Sequence, residues 1–358
     1  MEYKIFLGRP NLIPFEKTKK IFTQFGADIG ESSEIYAYLA TNVAKEPKLL
    51  EMVAKNNVND QLPPLILFGP VHYLLLKGYE HPLKNYFPTI TGVPVKEYDG
   101  FYRLFQDFCQ KHILEIIQMM QTKIIQTNEV RRSIVLLTGF NWIINREGNT
   151  KLSLIEIGCS AGLNLYWDKY CYQYEEKLIG RKPCDFILDI KIKGEYRPDL
   201  DLNSVQIIDR FGIDLNPLDI ENEEDCLWLQ ALIWPEQLNR LQNLQSAIKI
   251  AGHEKKKLFR GNAAIELPTI INKTNKESVL VIYQSFAFYL FSNEDKQTIQ
   301  KYLTEYSNNR PIYLLSMEWQ GIEGKRTFLK VDYFTKGQME SFVLAECHHH
   351  AKWIKWLI

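Results

Sequence analysis

In the run Leu154-Ile155-Glu156-Ile157-Gly158-Cys159-Ser160-Ala161-Gly162-Leu163-Asn164 a short apolar stretch ends in one acid, two glycines and a serine. The apolar part reads as a buried strand, and the residues after it as a turn entering an amphipathic helix. Gly158 and Gly162 carry no Cβ, so a ligand can approach the main chain, while the helix N-terminus offers free amide hydrogens. An anionic or strongly polar group suits such a loop. A tight packing turn is the alternative. A dinucleotide fingerprint is excluded by spacing: it needs glycine at the first, third and sixth positions, where this chain has Ser160 third and Leu163 sixth.

Four other segments carry groups that could serve the same ligand. Gly212-Ile213-Asp214-Leu215-Asn216-Pro217 ends a second apolar run in an acid, and a carboxylate can accept from two adjacent hydroxyls. Its plain alternative is an Asx turn before Pro217. Phe259-Arg260-Gly261-Asn262-Ala263 and Val279-Leu280-Val281-Ile282-Tyr283-Gln284-Ser285 are two more strand exits with polar side chains. Gln126-Thr127-Asn128-Glu129, with Arg131 beyond it, supplies a carboxylate for an ammonium and an arginine for a carboxylate, or else caps a helix. His348-His349-His350 would put two imidazoles on one face of a strand, but only Glu346 and Cys347 stand nearby to complete a metal site, so none is expected. Trp228 and Trp234 flank a short apolar run, where interhelical packing is the ordinary role and stacking on a flat ligand the other.

The elements that must position these groups fall into two kinds. Residues 15–147 show apolar positions three and four apart, with Ser32 or Ser33 able to cap one helix and Pro47 suited to the first turn of the next. Residues 62–77 form an all-round apolar helix with a kink at Gly69-Pro70, the positions from Phe101 to Ile124 make one helical stripe, and Thr127 or Asn128 opens a helix that ends before Gly148. From Lys151 the pattern changes to short runs rich in β-branched and aromatic residues, at 152–157, 205–214, 257–260, 278–283, 311–318, 328–334 and 342–346, alternating with helical stretches. That alternation predicts a mainly helical N-terminal domain (1–125) and an α/β domain (126–358) whose sheet is mostly parallel and ends in an antiparallel hairpin. The stretch between Gly162 and Asp214 is too long for one helix and one strand. An insertion near 171–203 must be accommodated, and its 186–192 run reads as an extra strand of a hairpin over the site.

Composition limits the partners. Lysine plus arginine and aspartate plus glutamate are equal at 43 each, so no global field attracts nucleic acid or an anionic membrane. The basic runs 17–20 and 255–257 are too short to change that. No apolar stretch approaches the roughly 18 residues of a membrane span, and residues 1–14 have no signal-type apolar region. The six cysteines are scattered without a CxxC pair. A cytoplasmic protein with reduced thiols that acts on a small-molecule substrate is the expectation.

Taken in order, the E-x-G-x-x-x-G turn, the acid of Asp214, the Gly261-Asn262-Ala263 exit and the Gln284-Ser285 exit resemble the motifs of class I S-adenosylmethionine (SAM)-dependent methyltransferases, with a Rossmann-like sheet. The resemblance implies a SAM site made of Glu156, Gly158, Ser160, Gly162, Asn164, Asp214, Asn216, Asn262, Ala263 and Gln284. By the same analogy Gln126, Asn128, Glu129 and Arg131 reach the amino-acid end of the cofactor. Asn262 replaces the usual acid, and Gln284-Ser285 lacks the proline of many amino-methylating relatives. Gln284, Ser285, His348 and His350 are catalytic candidates by position only. Residues 126–129, 158–164, 210–217 and 228–237 together resemble an uncharacterised bacterial domain-of-unknown-function family, numbered twenty-three thirty-two, over nearly the whole chain. The expected activity is methyl transfer to a small or medium-sized metabolite. A non-catalytic binder of SAM, of a nucleoside or of a partner is the alternative.

Overall fold

A computed structural model of the chain describes residues 14–252, 256–320 and 326–358. The N-terminal stretch read above for export lies almost wholly outside the described residues, as does Lys255. Two compact units emerge, Met1–Thr127 with Glu221–Gln242, and Asn128–Ile220 with Asn243–Ile358. Residues 221–242 therefore group with the helical unit, although their sequence position lies inside the expected α/β domain.

The first unit is built of helices α1 (Phe15–Asp28), α2 (Glu34–Val43), α3 (Pro47–Asn56), α4 (Pro63–Leu76), α5 (Pro88–Thr91), α6 (Phe101–Lys111) and α7 (Ile113–Thr122). After α8 (Ser133–Glu147), which belongs to the second unit, α9 (Glu223–Ala231) returns to the first. Local chemistry sets the helix ends: the Ser33 hydroxyl accepts the Tyr36 N–H at 3.1 Å, and prolines open α3 and α4. The stripe from Phe101 breaks at His112 into two helices. Trp228 explains why α9 sits here. Its indole stacks against Gly69 of α4, where an added Cβ would come within 3.1 Å, and its Nε1 donates to the Ile124 carbonyl at 2.8 Å. Packing, rather than ligand stacking, is the role of this tryptophan.

The second unit carries an eleven-stranded sheet: β1 (Lys151–Ile157), β2 (Cys171–Tyr174), β3 (Lys177–Ile179), β4 (Ile187–Lys193), β5 (Gln206–Asp214), β6 (Lys257–Arg260), β7 (Val279–Ser285), β8 (Ile312–Gln320), β9 (Arg326–Thr335), β10 (Gln338–Cys347) and β11 (Trp353–Trp356), in the order β3-β2-β4-β11-β10-β9-β8-β7-β1-β5-β6. Neighbours from β6 to β8 run parallel, whereas β8, β9, β10 and β11 pair antiparallel in succession. The architecture is thus mixed α/β, with a helical N-terminal region and a large, mostly parallel sheet closed by antiparallel C-terminal strands. Helix α10 (Leu238–Ala251) contains the boundary between the two units, and α11 (Ala263–Lys273) and α12 (Asn293–Tyr306) complete the helices.

Side-chain parity tells which face each helix covers. Ile155, Ile157, Leu280, Ile282, Ile312 and Leu314 join Leu267, Ile270, Ile271, Ile299 and Leu303 of α11 and α12 in one core cluster. The opposite face takes α8: an added Cβ on Gly139 would meet Leu315 at 2.4 Å, and Phe140 stands edge-on to Tyr283. With both faces covered, the central strands must be apolar on alternate and intervening positions alike, which is why β1 reads as an almost continuous hydrophobic run. Ser153 and Glu156 are its buried polar residues.

Three expectations need correction. The turn after β1 leads into a 3-10 segment, Leu163–Lys169, buried through Asp168, and not into an amphipathic α-helix. The insertion does not form a hairpin over the site: β2 pairs with β3, while β4 runs parallel to both β2 and β11 and extends the sheet. Nor are all thiols reduced, because Cys171 at the start of β2 is disulfide-bonded to Cys184.

Candidate functional site

The chain runs from β1 to β5 and β6 on one side, then to β7 and β8 on the other, so the direction of winding reverses between β1 and β7. In open α/β sheets ligands bind outside the carboxyl ends of the strands at such a reversal. The turn after β1 has three residues in the left-handed region: Gly158 (φ 70°), Ser160 (φ 51°) and Gly162 (φ 70°). Across the reversal, Phe286 after β7 is a second non-glycine residue with positive φ, at 56°. Left-handed backbone at a bulky aromatic is costly and tends to persist where the site needs it. Glycine at 158 is also required by packing, since a Cβ there would lie 2.5 Å from the Ala287 methyl.

Asp214, the last residue of β5, holds the loop. One carboxylate oxygen accepts the Ser160 N–H and the other the Asn216 N–H, each at 2.8 Å. The Asx turn before Pro217 is therefore present, and the same side chain also braces the glycine turn. Burial pushes the Asp214 carboxyl above its usual value, opposed by those two amides and by Arg260. From the other direction the Asn128 amide oxygen accepts the Leu163 N–H at 3.0 Å. Asn128, the turn 158–164 and Asp214 are thus brought together.

Beneath the turn lies Glu156, 2% exposed, on the α8 face of β1. Burial raises its carboxyl well above the ordinary carboxylate range, and the neighbouring Tyr283 and Asn164 only partly offset this. Among the described residues its Oε2 makes no hydrogen bond of good geometry, although the Tyr283 and Asn164 side chains stand close enough to act on it. Buried Asn164 Oδ1, Trp167 Nε1, Tyr283 hydroxyl and Gln284 Nε2 share that state. Tyr283 is the register partner of Glu156, Gln284 that of Ile157, and the Trp167 ring stacks on Phe140. Unpaired buried polar atoms cost roughly 1–3 kcal/mol each, and native proteins keep few of them outside functional sites. Close by, Arg210 of β5 grips Asp168 through two 2.8 Å bonds, a buried pair whose charges are mutually satisfied.

The remaining sequence candidates are placed as follows. Gln126 belongs to the helical unit. The Glu129 carboxylate accepts the Arg131 N–H and stands 3.5 Å from His350 Nδ1. Arg131 donates to the Ala351 carbonyl and to Asp189. Asn216 accepts from Arg260, and Asn262 is the N-cap of α11, accepting the Ala264 N–H while donating to Asp295. Ala263 opens that helix and is buried. Gln284 Oε1 accepts the Ala287 N–H at 2.9 Å. The Ser285 carbonyl accepts from Arg132, which also donates to the His349 carbonyl and lies over the Phe286 ring. The three histidines do not lie on a strand: they occupy the turn between β10 and β11, His348 Nδ1 accepting the His350 N–H. Among the described residues no group of histidine, cysteine and acidic side chains is arranged to hold a metal ion.

Trp167, Arg132 and Phe286 escaped the sequence analysis, and Tyr283 entered it only as part of the 279–285 run. No local signal marks the positive φ of Phe286.

These features define a mixed α/β protein with a polar, strained centre at the β1/β7 reversal. Residues 19–356 match the family described as "Uncharacterized protein conserved in bacteria (DUF2332)", and the chain belongs to that family. No curated protein matches the chain. Among the described residues no helix is long and apolar enough to cross a membrane.

Proposed function

We propose that the α/β unit binds SAM at the β1/β7 reversal and acts as a methyltransferase on a small or medium-sized metabolite. The observation that carries this reading is the Glu156 carboxylate, buried directly under a turn of three left-handed residues, with Tyr283 and Asn164 beside it but no well-formed hydrogen bond to its Oε2. A ligand with a cationic ammonium or sulfonium group would give that oxygen a partner and convert a costly acid into a paired carboxylate. The parallel strand order β6-β5-β1-β7-β8 supports it, as does Asp214 at the exit of β5. Each Asp214 oxygen accepts one amide and keeps a second lone pair, enough for ribose hydroxyls. Asn262 contributes less than its position suggested, since both its carbonyl and its amide are engaged. When bound, SAM supplies an activated methyl group, and the chain's own residues have to orient the acceptor and exclude water.

The test is thermal unfolding and calorimetry with SAM and with its demethylated product. A ligand at a hundred times its Kd stabilises by roughly 2.7 kcal/mol. Wild-type protein is expected to show that shift and Glu156→Gln to lose it while keeping its fold. If neither compound moves the midpoint at millimolar concentration, the non-catalytic reading, for which the engaged Asn262 speaks, takes over.

A further inference from the structure

At the carboxyl ends of β7 and β8 three aromatic rings gather around one acid. Trp319 meets Phe286 at 4.9 Å between centroids and 76°, and Tyr289 at 5.1 Å and 64°. Large aromatics with exposed faces normally pack inward, yet Trp319 is 40% and Tyr289 38% exposed. The backbone supports this arrangement at some cost, because Phe286 is held in the left-handed region. Glu318 fastens the group: one carboxylate oxygen accepts the Tyr289 N–H at 3.2 Å and the other the Trp319 N–H at 3.0 Å.

We infer that the Tyr289 and Trp319 faces, with the Glu318 carboxylate beneath them, form a binding site for a small organic cation, a quaternary ammonium or a protonated amine. The chemistry is complementary on two counts. Aromatic faces attract a cation through their quadrupole, and more strongly where water is partly excluded. Burial pushes the Glu318 carboxyl up, and a cation beside it favours the charged form; each of its oxygens keeps a lone pair for an N–H donor after serving one backbone amide.

The groups facing Glu318 fit this assignment. Arg132 and Lys296 are the cations that act on it, but Arg132 already lies over the Phe286 ring and donates to the Ser285 and His349 carbonyls. One ring of the three is thus covered by the protein's own guanidinium, which also acts on Tyr289, while the described residues place no cation over the exposed faces of Tyr289 and Trp319. The inference does not depend on SAM binding: Tyr289, Glu318 and Trp319, which would meet the cation, are not among the residues assigned to SAM, and the test is read without that compound.

The probes are choline and its neutral isostere 3,3-dimethylbutan-1-ol, titrated calorimetrically into the full chain without SAM. Saturable choline binding at tens of millimolar or tighter is expected, with the neutral isostere about tenfold weaker, the ratio that about 1.4 kcal/mol of cation–π attraction gives. Trp319→Leu and Glu318→Gln should each weaken choline by a similar factor. Trp319 is exposed, so its substitution leaves the fold intact, and circular dichroism verifies this for both variants. Equal binding of the two probes, no saturable binding of choline, or choline affinity unchanged in both folded variants would overturn the assignment.

Discussion

The helical unit and the α/β unit treat their buried polar groups differently. In the helical unit such groups serve structure: His72 engages the Ala231 carbonyl through Nδ1 and Thr89 through Nε2, Trp228 has its carbonyl partner, and Glu236 accepts from the Ser33 hydroxyl and the Ile35 N–H at the start of α2. Thr18 and Tyr102 are orphaned there, on separate helices. In the α/β unit Glu156, Asn164, Trp167, Tyr283 and Gln284 are orphaned around one strand end. The difference teaches where to look for function. A scattered unpaired hydroxyl is a packing compromise, whereas clustered orphans next to left-handed backbone are groups kept available.

The sharpest break of this contrast comes from removing an anchor in each unit. Trp228→Ala is expected to cost about 3–5 kcal/mol through the cavity it leaves beside Gly69 and α4, and Asp168→Ala about 3 kcal/mol or more by stranding the buried Arg210. Urea midpoints measure both. A loss under about 1 kcal/mol for Asp168→Ala would mean that the α/β centre tolerates unpaired charge generally, and the orphans would lose their significance.

Helix caps give a smaller effect and a finer comparison. Ser33→Ala and Asn262→Ala each remove a side-chain acceptor from a helix start and should cost about 1 kcal/mol. If Asn262→Ala also weakens SAM binding several-fold, its role extends past capping, and calorimetry on the folded variant would show it.

The subtlest expectation is in pH. Burial lowers the His72 pKa to about 4 from 6.5, so the folded helical unit binds fewer protons than the unfolded chain between those values, and His72's contribution is lost as pH falls through that window. Glu156 has the opposite sign. Its folded pKa lies above the 4.5 of the free acid, so its contribution is complete below 4.5 and is lost as pH rises through the raised value. His348 and His349, lowered by burial to about 4 and about 3, act in the same direction as His72. The Glu156 share is therefore read as the midpoint difference between wild type and Glu156→Gln, which should grow in the variant's favour as pH rises. A difference flat with pH would show that Glu156 is not held protonated by the fold.

Much of the framework was legible in the residues. The change from a three-and-four periodicity to short β-branched runs placed the change of architecture near Lys151, and the seven runs became strands, the central ones apolar throughout because both faces of the sheet are covered there. β2, β3 and β11 were missed, being short and mixed in polarity at the far side of the sheet. The glycine turn and Asp214 were visible as motifs, and they do meet. That Asn262 caps a helix, that Arg131 ties down Asp189, and that Trp228 belongs with Gly69 could not be read from local patterns.

Sequence by itself determined most of the helices and strands and the left-handed turn at Gly158 and Gly162, because propensity, periodicity and glycine placement act over a few neighbouring residues, whereas the left-handed backbone of Phe286 carries no such signal. Only the tertiary structure decided which polar atoms find partners. Satisfaction of a buried group depends on side chains distant in the chain, and Glu156, flanked in sequence by two isoleucines, owes its raised carboxyl to burial under the assembled sheet, which Tyr283 on the neighbouring strand and Asn164 in the following turn only partly offset.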